Sequence, residues 1–202
     1  MLQENVIAAF EKKKYKVSFF KTKEEAAQYM DKEIDGKTVG FGDSETLEAI
    51  KIHDLLVSHN KAVYNPIRTT CHEEFACQAR QAMQAEVYLT SVNAAAETGE
   101  MVNIDGTGNR VSGSLYGHER VFFVFSSKKI EPTLEKAIWR AQNVAAPLNA
   151  RRKNKKTPCA VRGDKCYDCN AEERLCNALV VYWRKMHRVR ADVVIIDEDL
   201  GL

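Results

Sequence analysis

The feature that most constrains this chain stands near its end. The stretch "ADVVIIDEDLGL" at residues 191–202 holds a buried strand, yet it comes after a basic run and a segment dense in cysteine. A strand placed there has to return to a sheet begun much earlier, so the cysteine segment reads as an excursion from the body of the fold.

The earlier sequence supplies that sheet by alternation. An amphipathic helix carrying Val6, Ala9 and Phe10 on one face leads into the β-rich "YKVSFF" at 15–20. Thr22 and Glu25 have capping-box spacing and open a helix through Met30. "TVGFG" at 38–42 reads as a buried strand, with Ser44 as N-cap of the next helix, and "KAVYNP" reads as a short strand stopped by Pro66. Thr70 and Glu73 repeat the capping spacing before a helix to about Met83, and two strongly β stretches come next, "EVYLTSV" and "RVFFVFSS". Pro132 suits the first turn of a helix whose apolar positions are Leu134, Ile138, Ala141, Ala145 and Leu148. Alternation of this kind predicts an α/β fold with a mainly parallel central sheet flanked by helices, and sites gather at the carboxyl ends of its strands. The expected organisation is one domain over 1–202, with a cysteine-rich excursion at 157–177.

Composition narrows the function classes. With 202 residues the chain can bury a real core, and 30 basic against 28 acidic residues, a net charge of +2, argue against a dedicated nucleic-acid binder. The basic run "RRKNKK" at 151–156 reads as a solvated helix end that complements the dipole. The N-terminal segment carries Glu4 and Glu11 and lacks a signal-peptide core, and no apolar run has membrane-span length, so the expected location is cytoplasmic.

In a cytosolic setting clustered cysteines bind metal or do chemistry more often than they form disulfides. Cys159, Cys166, Cys169 and Cys176 are separated by six, two and six residues, symmetric about a central CxxC. Such a set can close a four-thiolate zinc site or ligate an iron–sulfur cluster, and the spacing does not decide between them. Packed free thiols and a redox pair are the alternatives, and His187 is a possible substitute ligand. Cys71 and Cys77, six apart on a helix, differ by about 240° and cannot form a ligand pair. Cys71 sits beside His72 near a helix start, a setting that can lower a thiol pKa, but core packing is its expected role.

Two glycine-rich segments complete the candidate sites. "VGFGDSETL" at 39–47 is strand, glycine turn and helix start, without the third glycine of a dinucleotide fingerprint or the Gly-Lys pair of a P-loop. Asp43 and Glu45 oppose a bound phosphate there. "NAAAETGEMVNIDGTGNR" at 93–110 concentrates polar side chains among glycines between two strands. It suits a β-hairpin from "EMVNID" and a tight turn, or a pocket for a small polar ligand. No flavin or nicotinamide fingerprint is present.

Taken in order, "GFGDSETL", "NAAAETGEMVNIDGTGNRVSG", "AAPLNARR", "TPCAVRGDKCYDCNAEERLCN" and "DEDLGL" resemble the lactate-utilisation (LUD) domain family, in its single-domain branch with a cysteine-rich segment. The resemblance covers nearly the whole chain. It implies a fold similar to the phosphosugar-isomerase and CoA-transferase superfamily, and a bacterial role in oxidation of L-lactate to pyruvate beside other lactate-oxidation proteins. By position, the family's glycine loop falls on Gly42, Asp43 and Ser44. Its polar motif falls on Asn93, Glu97, Thr98, Gly99, Asn103, Asp105, Gly106, Gly108, Asn109 and Arg110.

On this basis a lactate-like carboxylate or phosphate ester is the expected ligand. Arg110 would clamp it bidentately, Asn93 and Asn109 would orient it, and Glu97 or Asp105 would act as general base. Electrons from lactate would pass to a cluster on the four cysteines or to a partner protein. The other readings are a non-catalytic, metal-stabilised binding or assembly protein, and a sugar-phosphate or CoA-ester enzyme.

Overall fold

A computed structural model describes residues 2–202. Helix α1 (Leu2–Lys12) leads into β1 (Lys16–Phe20), and α2 (Lys23–Glu33) into β2 (Thr38–Phe41). Two short helices, α3 (Glu45–Ala49) and α4 (Ile52–Leu56), precede β3 (Ala62–Tyr64), and α5 (His72–Ala82) precedes β4 (Val87–Thr90). A hairpin of β5 (Ala94–Ala96) and β6 (Met101–Asp105) is succeeded by α6 (Asn109–Leu115), β7 (Arg120–Ser126) and β8 (Ile130–Glu131). Helices α7 (Leu134–Arg140) and α8 (Ala146–Arg152) form one run through a π turn at Ala141–Ala145. Then come α9 (Pro158–Arg162), β9 (Ala178–Tyr182) and β10 (Arg190–Ile196).

The main sheet has six strands in the order β1-β10-β7-β4-β2-β3, every pair parallel. The late strand therefore lies inside the sheet, between the strand that opens the chain and β7. Alternate residues explain why it can sit there. Val194 and Ile196 of β10 join Phe122, Val124, Leu89 and Phe41 on one face, under Met30, Leu47 and Leu56 of the covering helices. Val193 and Ile195 join Phe123, Phe125 and Tyr88 on the other, against Phe10 and Tyr182. Such a strand, apolar on both faces, is stable only with both faces covered.

A second sheet of four strands, β8-β5-β6-β9, packs Ala94, Ala96 and Val102 against Ala137 and Ala141 of the helical run. Its hairpin was legible; its outer strands were not. The apolar run after Cys176 pairs antiparallel with β6, which ties the end of the cysteine segment to the hairpin.

Several local expectations hold and three shift. The Thr22–Glu25 capping box is reciprocal, with both hydrogen bonds at 3.3 Å. At α5 the cap is Cys71, one residue later than Thr70: its sulfur accepts from Glu74 N at 3.5 Å, and the Glu74 carboxylate accepts from Thr70 N at 3.0 Å. Cys71 is exposed, as is Cys77, and the expectation that Cys71 packs in the core is corrected. Thr133 caps α7, so Pro132 stands just before the helix instead of in its first turn. The π turn adds a residue to the helical repeat and rotates α8 about the axis, so Pro147 and Ala150 are buried and Leu148 is exposed.

One ion network holds the amino end of the sheet. Arg120 of β7 is buried and donates to Asp192 of β10 at 2.7 and 2.8 Å and to Glu33 at 2.7 Å. Partnership with Arg120 holds the Glu33 carboxyl below its ordinary range. At the opposite end β2 leads away to β3, whereas β4 leads toward β7. The crevice between their carboxyl ends is a topological switch point, where ligands bind in open α/β sheets.

Candidate functional site

A cavity of about 130 Å³ opens at that crevice. Its lining comes from the loops after β2, β4, β6 and β7, from α8, and from the cysteine segment. Asp43 and Ser44 lie after β2, Ser91 and Asn93 after β4, Asp105 at the end of β6, Asn109 and Arg110 at the start of α6, and Lys129 after β7.

The glycine loop is a structural device with two polar outputs. Gly42 itself is absent from the lining. A Cβ there would stand 2.9 Å from Arg110 Cγ and 3.0 Å from the Tyr88 hydroxyl, so its role is to let the Arg110 stem lie over the strand end. Ser44 caps α3, its Oγ accepting from Leu47 N at 3.3 Å. Asp43 accepts from Lys153 Nζ at 2.8 Å through one oxygen, while its buried Oδ1 has no partner among the described residues. Glu45 pairs with Arg152 at 2.5 Å. The basic run after α8 thus neutralises the acidic turn, from more than a hundred residues away in sequence. These two acids no longer argue against an anionic ligand.

Asp105 organises the second segment. Its Oδ1 accepts from Thr107 N at 3.1 Å and Gly108 N at 2.8 Å, its Oδ2 from Val111 N at 3.2 Å, and Arg110 Nε stands 3.6 Å from Oδ2. A carboxylate so engaged has little capacity left as an acceptor, and these contacts make Asp105 the residue that holds the turn and Arg110. Glu97 is half-buried in the turn of the β5–β6 hairpin, at the end of β5 away from Asn93, and does not line the cavity. The reason is the one that forms the hairpin: the turn reverses the chain at the end of β5 away from the cavity, so Glu97 stands apart from the other expected site residues.

Arg110 and the two asparagines do meet. Arg110 Nη2 donates to Asn93 Oδ1 at 3.1 Å and to the Ile104 carbonyl at 2.5 Å. Both Nη2 hydrogens are thereby used, so the bidentate clamp is replaced by a single free end, Nη1, which makes no hydrogen bond among the described residues. Asn93 Oδ1 also accepts from Ile104 N at 2.8 Å. Asn109 Nδ2 is buried with no partner among the described residues.

The residue that the pattern did not reveal is Lys129. It is 4% exposed, and its Nζ donates to Thr46 Oγ1 at 3.2 Å and to the Val92 carbonyl at 3.3 Å. Burial, reinforced by the nearby guanidinium groups of Arg140 and Arg110 and opposed by Asp199, pushes its amine down to about 7. Among the charged side chains that line the cavity, Lys129 alone has no opposite charge within 4 Å among the described residues. Gly201, at φ +68°, brings the chain so close that a Cβ would lie 3.1 Å from Nζ. The available signal was positional: a lysine directly after a buried strand, at the end of the sheet where sites collect.

All four clustered cysteines line the same cavity. Each is half-buried and free of disulfide. The segment packs down through Leu175, whose carbonyl leaves no room for a Cβ on Gly106, and through Asn177, whose backbone N donates to Asp105 O at 2.9 Å. Among the described residues no three His, Cys, Asp or Glu side chains are close enough together to hold an ion. Burial raises the Cys176 thiol, with neighbouring Arg174 opposing. His187 is exposed and outside the cavity.

The sequence profile of the LUD domain family matches residues 3–196. The chain belongs to the LUD domain family. A solved structure of a DUF162 family protein from Deinococcus radiodurans is similar at a TM-score of 0.55, with 12% identity, covering 96% of this chain and 96% of that one. That likeness carries the fold of this LUD domain and nothing of its chemistry. No curated protein matches the chain. Among the described residues no helix is long and apolar enough to cross a membrane.

Proposed function

We propose that this LUD domain serves bacterial L-lactate utilisation by binding a small 2-hydroxy or 2-oxo carboxylate in the cavity at the ends of β2, β4 and β7. The observation that carries the reading is Lys129, a buried amine facing the cavity with no opposite charge within 4 Å among the described residues. The free Nη1 of Arg110 and the unpartnered Asn109 Nδ2 add donors on another wall. A cavity of about 130 Å³ suits a three-carbon acid better than a CoA ester, since drug-sized ligands fill roughly 300–1,000 Å³. Calorimetry with L-lactate, pyruvate and glucose 6-phosphate tests it. Binding of lactate or pyruvate that disappears in Lys129→Met is the expected result, and a preference for the phosphate ester would transfer the site to a sugar-phosphate enzyme.

A second reading concerns the cysteines, and the observation favouring it is that all four thiols face the ligand cavity. By donor type Cys159, Cys166, Cys169 and Cys176 suit a zinc ion or an iron–sulfur cluster, but in the described arrangement no three of them stand close enough together to hold an ion, so binding would require the segment to draw in. Bound there, a cluster would supply electron transfer and zinc a structural clamp. Other lactate-oxidation proteins are the expected partners for the electrons, and the cytoplasm the expected location. Metal analysis with a visible spectrum on protein purified without oxygen separates the cases. Iron with sulfide and a brown colour would mark an electron-carrying component, colourless stoichiometric zinc a structural site, and neither would leave free thiols.

A further inference from the structure

We infer that Lys129 is a nucleophilic lysine that forms an imine with the carbonyl carbon of a 2-oxo acid held in the cavity. The inference rests on the proposal that the site takes small 2-hydroxy and 2-oxo acids, and adds a covalent step to it.

The hydrogen-bond count around Nζ is the first support. An ammonium carries three N–H donors, a neutral amine two and a lone pair. Only two acceptors, Thr46 Oγ1 and the Val92 carbonyl, stand within reach of Nζ among the described residues. They satisfy a neutral amine and leave its lone pair unused, whereas a third ammonium hydrogen would be buried without an acceptor, at real cost. The charges facing Nζ from the packed elements point the same way: Arg140 from α7 and Arg110 from α6 disfavour a second cation, against Asp199 alone. A neutral, desolvated amine is the reactive form for carbonyl addition.

The neighbours suit the rest of the step. The substrate carboxylate would face Arg110 Nη1, leaving the carbonyl to be presented to Nζ. Attack forms the C–N bond while the carbonyl π electrons move to oxygen, which takes up a proton. The resulting carbinolamine then loses that oxygen as water together with the nitrogen proton, giving the imine with no net oxidation or reduction. Thr46 Oγ1 accepts from both Nζ and Ser91 Oγ, the latter at 3.3 Å, so a hydroxyl chain leads from the nitrogen to a cavity-lining serine able to pass the proton.

Borohydride trapping tests this on the full-length protein. Pyruvate is added with borohydride as reductant, the intact mass is measured, and the modified residue is located by peptide sequencing. The expected gain is one pyruvate less one water plus two hydrogens, on Lys129. Exposed Lys128 next to it is the internal standard: it stands in solvent outside the cavity and should carry at least about tenfold less label. Lys129→Arg and Lys129→Met, checked for folding by circular dichroism, should lose the adduct, and acetone, which lacks the carboxylate, should label weakly. Pyruvate binding by calorimetry with no label on Lys129, or equal label on Lys128, overturns the imine and leaves the carboxylate site standing. Absence of both binding and label overturns the two readings together.

Discussion

Replacing Lys129 with methionine should make the ligand-free protein more stable near neutral pH, and the gain should reverse at high pH. The unfolded chain holds a proton on this lysine up to about 10.5, whereas in the fold it is released near 7. Between those values the unfolded state binds one more proton, so native stability rises with pH by about 1.4 kcal/mol per unit. At pH 7 the buried amine therefore costs about 4 kcal/mol relative to an unperturbed lysine. Methionine has a similar length and no charge, but it gives up the hydrogen bonds to Thr46 and Val92, worth about 1 kcal/mol each. The net gain is about 2 kcal/mol at pH 7, vanishing near pH 9 and becoming a loss above it. Urea denaturation of both proteins from pH 6 to 10 reads this directly, because other titrating groups cancel in the difference. A variant less stable than the parent by the same amount at every pH would mean that Lys129 is charged and compensated in the fold. The neutral-amine argument would then be wrong.

Other substitutions probe separate parts of the structure. Gly40→Ala would set a Cβ inside contact distance of the Ala82 carbonyl oxygen, and because that atom is backbone the sheet or α5 must move, for a loss of about 1–3 kcal/mol in a urea melt. Asp192→Ala leaves the buried Arg120 guanidinium with Glu33 as its remaining carboxylate partner, and should cost about 3–5 kcal/mol by the same assay. Thr22→Ala removes the α2 cap and should cost about 1 kcal/mol without affecting ligand binding. Glu97→Gln should leave pyruvate affinity unchanged in calorimetry, since the side chain lies outside the cavity; a marked loss would return Glu97 to the site.

The main sheet was legible because its signals are local. Apolar strands such as "RVFFVFSS" and "ADVVIID" alternate with helices whose caps are written next to them, and Thr22 with Glu25 is read correctly from spacing alone. Errors arose where a neighbour in space chose between local options. Cys71 displaced Thr70 as cap by one residue, and the π turn rotated Leu148 out of the face its spacing assigned to it. The second sheet was half visible, because β8 has two residues and β9 reads as an apolar run until β6 is available to pair with it.

The site was legible in its residues and illegible in their roles, and charge explains the difference. Asp43 and Glu45 look hostile to an anion until Lys153 and Arg152 arrive from the end of α8, and Asp105 looks like a base until three backbone amides claim it. Those partners come from distant or backbone groups that no spacing rule displays. Asp43, Glu45 and Asp105 pair with Lys153, Arg152 and Arg110, Arg174 finds Asp168 outside the cavity wall, and among the described residues one amine is left over. Folding could have satisfied Lys129 with a carboxylate or replaced it by an apolar residue at a gain in stability. That this is the one charged side chain of the cavity wall with no opposite charge within 4 Å among the described residues is the physical reason to look for its partner in a ligand.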